Sequence, residues 1–121
     1  MKNNIVKDKS EYFAIQVITM YKHLCDVKKE FILSKQLLRS GTSIGANIVE
    51  SEYAISKKDF VSKLHIALKE CAETIYWLKL LYATNYITEF EHEKMSSFCE
   101  ELRKILSSII ISSKTAIKNE K

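Results

Sequence analysis

SKKDFVSKLHIALKECAETIYWLKLLYAT, residues 56–84, decides the fold. Phe60, Leu64, Ala67, Cys71, Thr74, Leu78 and Leu81 step by four and three without a break. That is the spacing of one buried face of an α-helix. Ser56-Lys-Lys-Asp59 opens the stretch as a capping box with Asp in place of the usual Glu. A Ser hydroxyl there accepts a hydrogen bond from a first-turn N–H that has no helical partner. Thr84-Asn85 marks the end. At 1.5 Å per residue such a helix spans about 40 Å, enough for one side of a bundle.

Working outward, the preceding segment starts at Ser34, read as an N-cap, with Leu33 and Leu38 at the spacing of a hydrophobic staple. Leu37, Ile44, Ile48 and Ile55 form its apolar stripe. Gly41 and Gly45 fall inside it, and each costs a helix about 1 kcal/mol relative to Ala. Two glycines four apart lie on one face, which points to close approach of a neighbouring helix or subunit. Further back, Phe13, Val17, Met20, Leu24 and Val27 carry a helix from about Ser10 to Cys25, and residues 26–33 break the pattern. Beyond residue 84, Thr88 and Glu91 form another capping box. Met95, Phe98, Leu102, Ile105, Ile109 and Ala116 mark the face of a fourth helix. The connections at 26–33, 54–56 and 84–88 are short, and short connections make neighbours antiparallel. The expected fold is all-α, an antiparallel up-down-up-down four-helix bundle. It forms one domain over residues 1–121 with short flexible ends.

Composition agrees. Pro is absent and Gly occurs twice in 121 residues, which argues against a turn-rich sandwich and against a disordered chain. The net charge of +4 favours an anionic partner only weakly, but its distribution is uneven. Residues 1–40 hold eight basic side chains (Lys2, Lys7, Lys9, Lys22, Lys28, Lys29, Lys35, Arg39) against four acidic ones, and the remainder balances. No apolar run has the ~20 residues of a membrane span, and none looks like a signal peptide. Cys25, Cys71 and Cys99 are odd in number and have no metal-ligand spacing, so they read as reduced thiols of a cytoplasmic protein.

Two motifs invite a chemical reading. Gly41-Thr-Ser-Ile-Gly45 matches the GxSxG of a hydrolase nucleophile elbow, but that motif needs a strand-to-helix turn on a large sheet, which this chain is too short to build. Glu89-Phe-Glu-His92 is an ExxH, but di-iron bundles need two such pairs and two further carboxylates. His23, His65 and His92 fall on three different helices. The expectation is a non-enzymatic protein with no catalytic residue, metal or cofactor.

A less bland pattern lies on the second and third helices. Gln36, Arg39, Ser43, Asn47 and Glu50 step by three and four as a polar stripe, and Lys63, Glu70, Glu73 and Trp77 share a face. The stripes either face solvent or place Arg39, Asn47, Glu50, Glu70 and Glu73 in a network between helices or subunits, where each buried group needs a partner. Most of the twelve aromatics sit at core spacing, but Tyr76-Trp77-Leu78 cannot all face one core, which leaves Tyr76 and Trp77 as candidates for an interface.

The combination of residues 34–50 (SKQLLRSGTSIGANIVE), Ser56-Lys-Lys-Asp-Phe60, Lys69-Glu70, Glu73-Thr74 and Tyr76-Trp77-Leu78 resembles the bacterial four helix bundle protein family. That family is also called the S23 or 23S rRNA intervening-sequence protein family. The similarity covers most of the chain, is densest over residues 34–81, and departs at Ser51, where a small apolar residue or Gly is expected. The resemblance implies an antiparallel four-helix bundle and a barrel-shaped homopentamer. Some members are encoded within intervening sequences of 23S rRNA genes, and related retroelement accessory proteins bind nucleic acid and a reverse transcriptase.

Two functions follow as expectations. One is an oligomeric nucleic-acid-binding adaptor, leaning to RNA, that contacts phosphates through Lys2, Lys7, Lys9, Lys22, Lys28, Lys29 and Lys35. The alternative is a protein-interaction scaffold whose charge is incidental. In the first, Arg39 cannot serve both a buried network and a phosphate.

Overall fold

The computed structural model describes residues 2–119, with side chains from residue 5 onward, and four helices account for most of them. They are α1 (Lys2–Asp26), α2 (Leu33–Ser51), α3 (Lys57–Ala83) and α4 (Glu89–Asn119). Successive helices lie side by side, α1 closes the ring against α4, and the diagonal pairs do not approach. Residue pairs run in opposite directions across each contact. Lys7 meets Glu52 while Cys25 meets Ser34, and Arg39 meets Glu73 while Glu50 meets Lys63. Cys71 meets Cys99 while Tyr82 meets His92. This is the register that an up-down-up-down bundle requires.

The face expected for α3 is the one that is buried, from Leu64 through Ala67, Cys71, Thr74 and Leu78 to Leu81, with Phe60 packed against its edge. Both expected capping boxes form. Ser56 Oγ accepts from Asp59 N–H at 3.0 Å, and the Asp59 carboxylate reaches back to Ile55 N–H at 3.2 Å. Thr88 and Glu91 exchange their reciprocal bonds at 2.8 and 3.1 Å. Asn85, with φ 69°, ends α3 in a Schellman turn, Tyr86 N–H reaching the Leu81 carbonyl at 2.9 Å.

Other boundaries differ from the sequence reading. Helix α1 begins at Lys2 rather than Ser10, because buried Val6 and Ser10 continue the face of Phe13 and Val17 by two turns. Val27 lies past the helix end and is exposed. Helix α2 stops at Ser51, so Ile55 falls in the connection and is 93% exposed instead of extending the stripe. Ser51 is buried, and its hydroxyl donates to the Ile48 carbonyl at 2.6 Å, so a polar residue fits where a small apolar one was expected. On α4 the buried line is Met95, Cys99, Leu102, Leu106 and Ile110. Phe98, Ile105 and Ile109 flank it half-buried, and Ala116 is exposed.

The two glycines of α2 face α1 within the same chain. A Cβ built on Gly41 would lie 2.7 and 2.9 Å from the Val17 methyls, whereas one on Gly45 would first meet Ser10 Oγ at 3.2 Å. Valine is stiff at χ1 and cannot turn aside. Gly41→Ala is therefore expected to destabilise the protein by about 1–2 kcal/mol, overpacking exceeding the ~1 kcal/mol gained in helix propensity. Gly45→Ala should stay within about 1 kcal/mol of wild type. Urea midpoints of the two variants check this, and equal midpoints would contradict it.

Candidate nucleic-acid interface

The connection between α1 and α2 is short and unusually well tied. The N–H groups of Val27 and Lys28 both reach the His23 carbonyl, at 2.9 and 3.3 Å. Lys29 then turns left-handed, with φ 56°, and Glu30 N–H bonds the Leu24 carbonyl at 2.9 Å. A non-glycine residue in that region costs on the order of 1 kcal/mol. Glu30 is buried, and its carboxylate accepts from three successive backbone N–H groups, Ile32 at 3.2 Å, Leu33 at 3.0 Å and Ser34 at 2.7 Å. Burial pushes the Glu30 carboxyl upward, but the bonds from Leu33, Ser34 and Ile32 together outweigh it and hold it below the usual carboxylate range.

Glu30, not Ser34, thus caps α2. Ser34 lies inside the first turn, buried, with its hydroxyl donating to the Glu30 carbonyl at 2.7 Å and the Cys25 thiol 3.7 Å away. The reason is geometric: the left-handed turn at Lys29 brings the longer carboxylate over the helix start. The result is a stiff turn that buries one side chain and presents its neighbours Lys28, Lys29, Phe31 and Ile32 outward.

The expected lysines separate into two groups. Lys7 pairs with Glu52 at 3.0 Å, and that hydrogen bond and charge hold its ammonium above its ordinary pKa. Lys9 pairs with Glu101 at 3.0 Å and stands 5.7 Å over the Phe98 ring. The Lys2 side chain lies outside the described residues. Lys22, on the outer side of α1 some 20 Å from Lys9, is exposed, as are Lys28, Lys29 and Lys35. These four make no ion pair among the described residues and gather at the α1–α2 end of the bundle. In the same stretch of chain Asp26 is exposed and Glu30 turns its charge inward to the backbone, and Glu91 of α4 lines a cleft with Thr19 and His23 at this end.

The polar stripes meet between α2 and α3 but divide. Arg39 bridges the helices, reaching Glu70 at 3.5 Å and Glu73, with Gln36 Oε1 accepting from its Nε at 3.4 Å. Trp77 Nε1 donates to the same Glu73 carboxylate at 2.9 Å. Ser43 and Asn47 instead bond backwards along α2, to the carbonyls of Arg39 and Ser43. Glu50 pairs separately with Lys63 at 3.5 Å. Arg39 is thus held by carboxylates and kept from the lysine group. Beneath it, Ser40 and Thr74 face each other in the core, their hydroxyls 2.9 Å apart. Leu78 enters the core, Trp77 is half-buried, and Tyr76 stands exposed, edge-on to Trp77 at 5.1 Å.

The chemical motifs resolve into helix. GxSxG lies within α2, and Ser43 Oγ donates to the Arg39 carbonyl at 2.6 Å. In the ExxH, His92 stacks on Tyr82 at 4.7 Å, and among the described residues no group of three or more His, Cys, Asp or Glu side chains is arranged to hold a metal ion. Two open clefts follow the α1–α4 seam, about 490 Å³ beside Met20, Phe90 and Met95, and about 410 Å³ beside Ile5, Ile105 and Ile109. No helix among the described residues is long and apolar enough to cross a membrane. Sequence reasoning missed Glu30 and did not single out Phe31. An acidic residue just ahead of a helix start, where the dipole favours it, was the available signal.

The model of one protein family, described as 23S rRNA-intervening sequence protein, matches residues 2–108. The chain is also similar to a crystal structure from Bacteroides thetaiotaomicron, described as a protein of unknown function from the S23 ribosomal protein family. The two share 55% identity and a TM-score of 0.90, over 91% of this chain and 98% of that one. No curated protein matches the chain.

Proposed function

The chain belongs to the 23S rRNA-intervening sequence protein family, and from that premise we propose that it is a non-enzymatic nucleic-acid-binding adaptor, leaning to RNA. One observation carries the reading. Four lysines without ion pairs among the described residues collect at the α1–α2 end, while Lys7 and Lys9 are neutralised by Glu52 and Glu101. Helical and turn lysines without a groove-reading element contact phosphates and position a nucleic acid without reading it. A closed ring of copies, a pentamer by the family resemblance, belongs to the same reading, because each copy repeats its lysine end around one axis. A monomer mass in light scattering would remove the ring. Three free thiols suit a cytoplasmic setting.

The test is a salt titration of affinity for a structured RNA and a duplex DNA. Neutralised phosphates release counterions, so affinity should fall by orders of magnitude between about 50 and 200 mM salt, with little sequence preference. Salt-insensitive binding, or none at low salt, would instead favour the protein-interaction scaffold. The exposed Tyr12 and Ile15 on the outer side of α1 offer that reading its surface.

A further inference from the structure

Phe31 is 56% exposed and Ile32 76% exposed, in a turn whose neighbour Glu30 is buried and fully bonded to the backbone. A large aromatic held in water is not explained by packing, since the core beneath α1 and α2 is filled by Leu24, Leu37 and Ile44. Nor is it a loose tip. The Glu30 carboxylate fixes the backbone on one side and the left-handed Lys29 on the other. Lys28 and Lys29 precede the ring with only Glu30 between, and Lys22 near the end of α1 and Lys35 in the first turn of α2 are exposed at the same end of the bundle. The structure therefore displays an exposed π-face on a tied turn, at an end of the bundle that carries four exposed lysines without an ion pair among the described residues.

We infer that this turn binds an unpaired segment of RNA, with a base stacked on Phe31 and the adjoining phosphates on Lys22, Lys28, Lys29 and Lys35. The inference rests on the phosphate-binding reading above and adds the class of ligand, single-stranded or looped rather than fully duplex. Charge complementarity commits the patch to a polyanion, and the ring selects among polyanions. A duplex keeps its bases stacked on each other, so Phe31 gains nothing from it, whereas a loop offers splayed bases to an aromatic side chain. The N-terminus of α2 cannot serve as an alternative phosphate site, because the Glu30 carboxylate already occupies its N–H groups.

The experiment compares two RNAs of equal length, a hairpin with a large single-stranded loop and a blunt duplex, at fixed low salt. The full-length chain should bind the hairpin about tenfold tighter or more. Phe31→Ala should bring the hairpin down to the level of the duplex and leave duplex binding unchanged. Phe31→Tyr, which keeps the π-face, should retain the preference, and so should Ile32→Ala, which removes apolar area without a ring. Circular dichroism confirms that each variant is folded, as expected for exposed positions. Equal affinity of wild type for the two RNAs overturns this inference and leaves the phosphate-binding reading standing. So does a preference untouched by Phe31→Ala, or one lost equally in Ile32→Ala. Binding of neither RNA overturns both.

Discussion

Replacing Lys22, Lys28 and Lys29 together with Glu is expected to weaken binding to RNA and duplex DNA alike, by about two orders of magnitude near 50 mM salt. All three are exposed and outside any ion pair among the described residues, so they break no native contact by leaving. Each lost phosphate contact removes close to one unit from the slope of log affinity against log salt, so the slope should fall by about two to three. Helical content and oligomer mass should match wild type, because none of the three side chains enters the core or the α1–α2 contact at Gly41. The same reversal at Lys7 and Lys9 serves as the comparison. Those two already sit against Glu52 and Glu101, and their reversal should cost folding stability more than affinity. A triple variant that binds as well as wild type would move the function to the scaffold.

The second large effect is expected at Glu30. Glu30→Ala strips three backbone N–H groups of their acceptor at a partly buried helix start, and should cost about 2–3 kcal/mol, a melting shift on the order of 10 °C. Glu30→Gln keeps one acceptor oxygen and should fall between. The pH dependence has a definite sign. The folded carboxyl titrates below its unfolded value of about 4.3, so in acid the unfolded chain binds the proton first. The stabilisation is complete above that unfolded value and is lost as pH falls through the folded one. Urea unfolding at pH 7 and pH 3 should show the gap between wild type and Glu30→Gln narrowing at the lower pH. A gap of equal size at both would mean that the charge on Glu30 contributes nothing.

The sequence made the fold legible where periodicity and capping agree, and less so where adjacent residues compete. On α3 the steps from Leu64 to Leu81 are apolar except at Cys71 and Thr74, and that stretch of the face and the Ser56 cap are as read, with Val61 buried at its start instead of Phe60. On α4, Ile105 stands beside Leu106 and Ile109 beside Ile110, so spacing alone cannot choose between two lines 100° apart, and packing against α3 selects the second. The first turns of α1 are rich in Lys and Asn, and Ile5 and Val6 side by side could not announce them. At the candidate interface the excess of lysines was visible, but its division was not. Glu52 and Glu101 neutralise Lys7 and Lys9 from far along the chain, and only the folded register brings them together. Glu30 escaped notice because a cap that arrives through a left-handed turn has no fixed offset in sequence.

Lys29, three residues past α1, and Asn85, at the end of α3, share the left-handed conformation, yet Asn is a common choice there and Lys is not. Anyone selecting heat-resistant variants of this protein would be drawn to position 29, where Gly or Asn relieves the backbone at once. That selection would carry away one of the four lysines at the Phe31 end of the bundle, so thermal improvement and ligand capture pull in opposite directions at a single residue. Material evolved for robustness should be checked at this codon before its failure to bind is blamed on anything else.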